Sequence, residues 1–184
     1  MEQIKITAIV GSLRKDSFNR QLALAAKERL KDQAELALLD YADVPLMNQD
    51  IEYPAPQPVV RVRDQVKEAD GIWFFTPEYN HSYPGVLKNL IDWLSRPVSE
   101  DERQVLSKKP AAISGITPGM SGTGIAQDQL VTLISLLNMR VMNYPRLTIP
   151  NAMAQLDENG RLRLTDSARY LEAQAQAFIK FIRS

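Results

Sequence analysis

Gly11-Ser12-Leu13-Arg14-Lys15-Asp16-Ser17-Phe18-Asn19-Arg20 lies between an apolar strand pattern, Ile4 to Val10, and a helical pattern that begins at Phe18. A strand, a hydroxyl-rich loop and a helix start are the parts of a phosphate site. Ser12, Ser17 and Asn19 carry side-chain donors and Arg14 a cationic fork. The new helix adds unpaired N–H groups and a partial positive charge at its first turn. A dinucleotide fingerprint, G-x-G-x-x-G, is absent because Gly11 is the only glycine of the loop, and no G-x-x-x-x-G-K-[ST] string occurs. Side chains rather than bare backbone therefore supply the donors, which suits one terminal phosphate better than a pyrophosphate. At this point a plainer reading stays open: a strand-to-helix turn with Ser17 as an ordinary N-cap.

Outward from this stretch the chain alternates strand and helix. Leu22, Ala25, Ala26 and Leu30 fall on one face of a helix over Phe18–Lys31. Ala34–Asp40 reads as a second strand, and Tyr41–Pro58 as a long proline-rich connection before helical spacing resumes over Val59–Glu68. Gly71–Thr76 is an apolar run typical of a strand buried on both faces. Further helices are predicted over Pro84–Ser95, Gly122–Leu137 and Thr165–Ile182, with a strand over Pro110–Gly115. Arg140–Met142 and Leu147–Ile149 are candidates for a short fifth strand. Such a series predicts an α/β fold, a doubly wound five-stranded parallel sheet of flavodoxin-like order 2-1-3-4-5 with helices on both faces. One domain over residues 1–184 is expected. Ligands of such sheets sit beyond the carboxyl ends of the strands, at the switch point between strands one and three.

The loops expected at that edge are the chemically unusual ones. Thr76-Pro77-Glu78-Tyr79-Asn80-His81-Ser82-Tyr83-Pro84-Gly85 is stiffened by prolines and carries an aromatic ring, an amide and exposed backbone polar groups. Those are the parts needed to hold a flat heteroaromatic ring. Ile116-Thr117-Pro118-Gly119-Met120-Ser121-Gly122-Thr123-Gly124 combines glycines with hydroxyls, so backbone can approach a ligand closely. Its Gly-Met-Ser-Gly-Thr run is not a G-x-S-x-G elbow, since Thr123 stands where glycine is required.

Gly-Ser-Leu-Arg-Lys-Asp-Ser-Phe-Asn resembles the G-S-x-R-x-x-S-x-N signature of the NADPH-dependent FMN reductase family. The run from Thr76 to Pro97 is similar to that family's P-E-Y-N-x-S-x-P-G-x-L-K-N-x-I-D-W-x-S-R segment. Carried over position by position, the resemblance implies that Ser12, Arg14, Ser17, Phe18 and Asn19 hold the FMN phosphate and the start of the ribityl chain. It implies that Pro77, Glu78, Tyr79 and Asn80 border the isoalloxazine ring, and that Thr117 and Gly119 match the less constant third segment. There the Thr-Pro-Gly-Met-Ser-Gly run departs from the commoner serine- and glycine-rich form. The resemblance further implies NAD(P)H as co-substrate, a quinone, azo, flavin or similar small-molecule acceptor, and a homodimer or homotetramer with active sites near the subunit boundary.

Composition narrows the alternatives. The 184 residues carry 22 basic and 22 acidic side chains, so no basic excess points to nucleic acid. Without cysteine and with one histidine, thiolate nucleophiles and multi-histidine metal sites are excluded. No run approaches about 18 apolar residues, and no apolar signal region precedes the first strand. A soluble, cytoplasmic, NAD(P)H-dependent FMN oxidoreductase with a ping-pong course is the resulting expectation. A flavodoxin-like electron carrier would be strongly acidic, and a phosphosugar or nucleotide enzyme would need an acid/base pair that does not stand out. Smaller signals are also readable. Leu87, Leu90, Ile91 and Leu94 form a core stripe. Val86 and Trp93 lie off it and would suit a subunit contact. Asp92 and Arg96 are spaced as an i,i+4 pair. Met139 and Met142 read as core, and His81 as a solvent-facing loop residue.

Overall fold

The computed structural model describes residues 3–184. Its strands are β1 (Ile4–Val10), β2 (Ala34–Leu38), β3 (Gly71–Phe75), β4 (Pro110–Ile116), β5 (Arg140–Val141) and β6 (Leu147–Ile149). Its helices are α1 (Phe18–Leu30), α2 (Gln57–Glu68), α3 (Gly85–Leu94), α4 (Gly124–Leu136) and α5 (Ala168–Arg183). All strand pairs are parallel, in the order β2-β1-β3-β4-β5, with β6 also on β4. The flavodoxin-like order is the expected one. The strand count differs: both fifth-strand candidates are strands, and they share one edge of β4. β5 pairs with Pro110 and Ala111, and β6 with Ser114 to Ile116. Between them runs Met142-Asn143-Tyr144-Pro145-Arg146, where Pro145 has no N–H to give a ladder.

The sheet is buried because helices cover both faces. On one face α1 and α5 bring Leu22, Ala26, Leu30, Leu171 and Phe178 against Trp73 and Phe75. On the other, α2, α3 and α4 pack Val62, Leu87, Leu90, Ile91, Leu130 and Ile134 onto Ile9, Ile72 and Phe74. Adjacent residues of β3 point to opposite faces, so a strand buried on both sides must be apolar throughout. A buried polar chain ties α5 to the sheet. Trp73 Nε1 donates to Ser114 Oγ at 2.8 Å, Ser114 donates to Gln174 Oε1 at 2.6 Å, and Gln174 Nε2 donates to the carbonyls of Ile113 and Pro145. Every member has partners, which is the condition for polar groups to be tolerated in a core.

The 41–58 connection corrects two expectations. Trp93 is fully buried rather than offered to a subunit contact, because this connection lies over α3: its indole N–H donates to Pro45 O at 2.8 Å, beside Asn89, which donates to the same carbonyl. Val86 does remain exposed. Arg96 grips Glu52, on the connection, with a forked pair at 2.7 and 3.2 Å, while Asp92 pairs with Lys88. Hydrogen bonds from Arg96 hold the Glu52 carboxyl below the usual carboxylate range. The Met139 and Met142 side chains are buried in the core, as expected.

The end of β4 tolerates no side chain at Gly115. A Cβ there would collide with Thr123 Oγ1 and Thr76 O and lie 2.8 Å from Thr123 Cβ. Gly115→Ala is therefore expected to destabilise the protein by about 1–3 kcal/mol, the scale of overpacking a close-fitted interior. Urea unfolding of the variant beside the wild type checks this.

Candidate functional site

Loops from the carboxyl ends of β1, β3 and β4 converge on one edge. The β1 loop starts at Gly11, whose N–H donates to Phe75 O at 2.8 Å. A Cβ at Gly11 would press on Pro77 Cδ at 3.2 Å, so this glycine lets the β1 and β3 loops touch. Ser17 is extended (φ −61°, ψ 132°), and its Oγ accepts from Arg20 N at 3.4 Å, which makes it the N-cap of α1. The cap uses a lone pair and leaves the hydroxyl proton free to donate. The N-cap reading and the phosphate reading are thus compatible at Ser17. Phe18 and Asn19 head the helix, where N–H groups have no intrahelical partner. Ser12 is half-buried. Arg14 is exposed, its guanidinium 5.4 Å from the Phe18 ring centroid.

Asn19 is placed differently from a free ligand donor. It is 2% exposed, and its amide bonds the Ile116 peptide twice: Nδ2 donates to Ile116 O at 2.9 Å, and Ile116 N donates to Oδ1 at 3.1 Å. The side chain stitches the start of α1 to the end of β4.

In the β3 loop, Tyr79 and Ser82 exchange backbone bonds of 2.9 and 3.0 Å around Asn80 and His81, which have φ of 51° and 59°. That is a tight hairpin turn of the kind requiring two left-handed residues. The Glu78 side chain is only 6% exposed. Its Oε2 accepts from Ala126 N at 3.0 Å, in the first turn of α4. The carboxylate thus satisfies an orphan N–H at the positive end of a helix, and its other oxygen lies 3.4 Å from His81 Nδ1. Gln129 completes the clip, accepting from Ser82 Oγ at 2.7 Å and donating to His81 O at 2.8 Å. Gln129 gives no signal in the sequence, since an exposed glutamine on a helix carries no motif. Pro77 is buried, whereas Tyr79 and Asn80 are exposed at the loop's outer end. The His81 side chain is 75% exposed.

The β4 loop is held from the β6 side. Thr117 N donates to Ile149 O, Ala152 N to Thr117 O, and Asn151 N to Gly119 O. Gly122 has a φ of +68° and packs on Thr148, a conformation that a side chain there would strain.

The first loop fits a monophosphate. Hydroxyls of Ser12 and Ser17, helix-head N–H groups and the Arg14 cation are a donor set for an anion, with no carboxylate paired to Arg14 among the described residues. A doubly wound parallel sheet with this donor set at its switch point, and a proline-bounded aromatic loop beside it, defines a flavodoxin-like FMN-dependent oxidoreductase. The chain belongs to the NADPH-dependent FMN reductase family, whose sequence profile matches residues 4–154. It is 40% identical over 184 residues to an NAD(P)H-dependent FMN reductase of Pseudomonas aeruginosa, covering 99% of this chain and 97% of the relative. It is 37% identical over 180 residues to a 2-hydroxy-1,4-benzoquinone reductase of a Burkholderia species, covering 98% and 97%. Among solved structures, the flavoenzyme NAD(P)H:(acceptor) oxidoreductase FerB of Paracoccus denitrificans superposes with a TM-score of 0.88 at 33% identity, covering 98% of this chain and 97% of that one.

Glu78→Ala should lower stability by about 1–2 kcal/mol, the worth of a helix cap and its buried hydrogen bond. Glu78→Gln, which keeps an acceptor for Ala126 N, should recover at least half of that. Denaturant melts of the two variants make the comparison.

Proposed function

We propose that residues 1–184 form one FMN-binding domain and that this protein is an NAD(P)H-dependent oxidoreductase. The observation that carries the reading is the first loop: a donor set built for one phosphate, with no glycine fingerprint for a pyrophosphate. In this reading Ser12, Arg14, Ser17 and Phe18 face the FMN phosphate and the start of the ribityl chain. Asn19 acts chiefly by fixing the head of α1. Pro77, Tyr79 and Asn80 border the ring, with Glu78 holding their loop in place. Thr117 and Gly119 complete the edge from the β4 side.

FMN, when bound, would supply the redox chemistry, accepting a hydride equivalent from NAD(P)H and passing reducing equivalents on to a quinone, azo compound, free flavin or similar acceptor. The protein binds, orients and screens. His81 is too exposed to be a controlled proton donor, so solvent serves, and no residue is assigned as an indispensable acid or base. With FMN bound, Tyr79 and Asn80 would border the ring, and a nicotinamide and an acceptor that both need near-attack contact with it would compete for the same place and exclude each other.

The protomer fits a homodimer or homotetramer with exposed Val86 near the contact, and a cytoplasmic location fits this chemistry. Among the described residues no helix is long and apolar enough to cross a membrane.

Arg14→Ala is expected to weaken FMN binding by about 1.5–3 kcal/mol, the scale of a charge-assisted hydrogen bond, while the melting temperature of the flavin-free protein stays put. Fluorescence titration of FMN measures the first half and a thermal melt the second. Unchanged affinity would move the phosphate elsewhere. Initial rates varied in both NAD(P)H and quinone should give parallel double-reciprocal lines, whereas intersecting lines would mean that both substrates bind together.

A further inference from the structure

Several segments at the carboxyl edge each carry one large apolar side chain in the open. Leu13 stands on the β1 loop, Tyr79 on the β3 loop, Met120 on the β4 loop and Met153 on the 3-10 turn Ala152–Gln155 that follows β6. Met120 is 76% exposed and Met153 60%, so neither serves the core, in contrast to the buried Met139 and Met142. Exposed apolar side chains scattered singly are ordinary, but several gathered on one edge mark a binding surface.

The backbone beneath both methionines is fixed. Asn151 N donates to Gly119 O and Ala152 N to Thr117 O, each at 3.0 Å, so the β4 loop and the turn are joined immediately before Met120 and Met153. Ala152 itself is buried in the core. Beyond Met120, Gly122 packs on Thr148 and Thr123 is buried. The two side chains therefore leave a rigid joint, while three rotatable bonds and a polarisable sulfur keep each of them adaptable. Met120 also stands in the Thr-Pro-Gly-Met-Ser-Gly run, where this chain departs from the commoner form of its family. A serine there would be content in water. A thioether chain is not, and it gains by being covered.

We propose that Met120 and Met153 are specificity-determining residues: they form a soft apolar lip that covers the acceptor and tilts turnover towards quinones with a fused second ring over single-ring quinones. The proposal rests on the flavoenzyme reading above. In that reaction NAD(P)H gives up a hydride, solvent gives a proton, and the quinone leaves as the hydroquinone. A single ring is occupied by its contact with the reacting centre. A second ring extends beyond it and offers apolar surface to the lip. Flexible thioethers follow the outline of different fused systems, which a stiff branched side chain would not do.

The test compares kcat/KM for 2-methyl-1,4-naphthoquinone and for 1,4-benzoquinone in the FMN-loaded protein. In a Met120→Ser/Met153→Ser variant the ratio of the two should fall at least about fivefold, the scale on which small changes of apolar contact discriminate substrates. A Met120→Leu/Met153→Leu variant keeps the apolar surface and should hold the ratio within about twofold of the wild type. Hydrogen peroxide makes the same comparison without mutation. It transfers one oxygen to the thioether sulfur: the O–O bond breaks, an S–O bond forms, the sulfur is oxidised by two electrons and water leaves. Peptide mass analysis should find sulfoxide at Met120 and Met153 before Met139 and Met142, with the ratio falling in step in the wild type and not in the leucine variant. An unchanged ratio in the serine variant, a leucine variant that loses as much as the serine one, or a peroxide effect that persists in the leucine variant would overturn the proposal. FMN content and its bleaching by NAD(P)H are read before any acceptor is added. A protein that takes no FMN refutes the flavoenzyme reading and this proposal with it. One that is bleached yet keeps its ratio in the serine variant refutes this proposal alone.

Discussion

The two hydrogen bonds between the Asn19 amide and the Ile116 peptide govern the geometry of the carboxyl edge. β1 and β4 are not neighbours, because β3 lies between them. A side chain from the start of α1 reaches past β3 to the last peptide of β4, where the ladder is about to end and backbone groups would otherwise be buried without partners. Burial makes those bonds costly to break, since an unsatisfied peptide group in the interior carries its full desolvation penalty. The first loop and the β4 loop are thereby fixed to each other, and the crevice at the switch point has rigid sides.

The β3 loop is fixed by different means to the same end. Glu78 occupies the electropositive head of α4, and Gln129 holds the hairpin tip from one turn further along. An exposed hairpin turn with two left-handed residues would otherwise be among the most mobile parts of such a fold. Clipping it to a helix that packs on the core gives the Tyr79–Asn80 tip a defined position. Members of the family are named for different acceptors. Relatives of this chain include both an FMN reductase and a 2-hydroxy-1,4-benzoquinone reductase.

Charge distribution separates the roles of the two halves of the edge. Zero net charge gives no long-range field to draw a protein partner, in keeping with a small-molecule reductase. Locally the balance is uneven. Glu52, Arg96 and Arg63 gather beneath the 41–58 connection, where Arg63 donates to Trp93 O, and serve to hold that connection on α3. Arg14, Lys15 and Arg20 instead are in no ion pair among the described residues and line a cavity beside the first loop that Asp40 also lines.

The order of strands and helices, the parallel sheet, the switch point and the family were all legible in the chain itself. They depend on local periodicity and on two long motifs, and neither needs knowledge of distant contacts. Ser12, Arg14 and Ser17 were legible as donors for the same reason, because a strand, a loop and a helix start are contiguous. The division of labour among the polar residues was not legible. In sequence Asn19 reads as a phosphate donor and Glu78 as a border of the ring, and nothing there shows that their side-chain partners lie 97 and 48 residues away. Trp93 looked available at the surface until the 41–58 connection covered it, and Arg96 looked paired with Asp92 until Glu52 arrived from that same connection. The splitting of the last sheet position into β5 and β6 likewise depends on how the chain around Pro145 meets β4. A hydrogen bond or an ion pair goes to whichever partner the folded chain brings within about 3 Å, and that is set by packing between elements far apart in sequence.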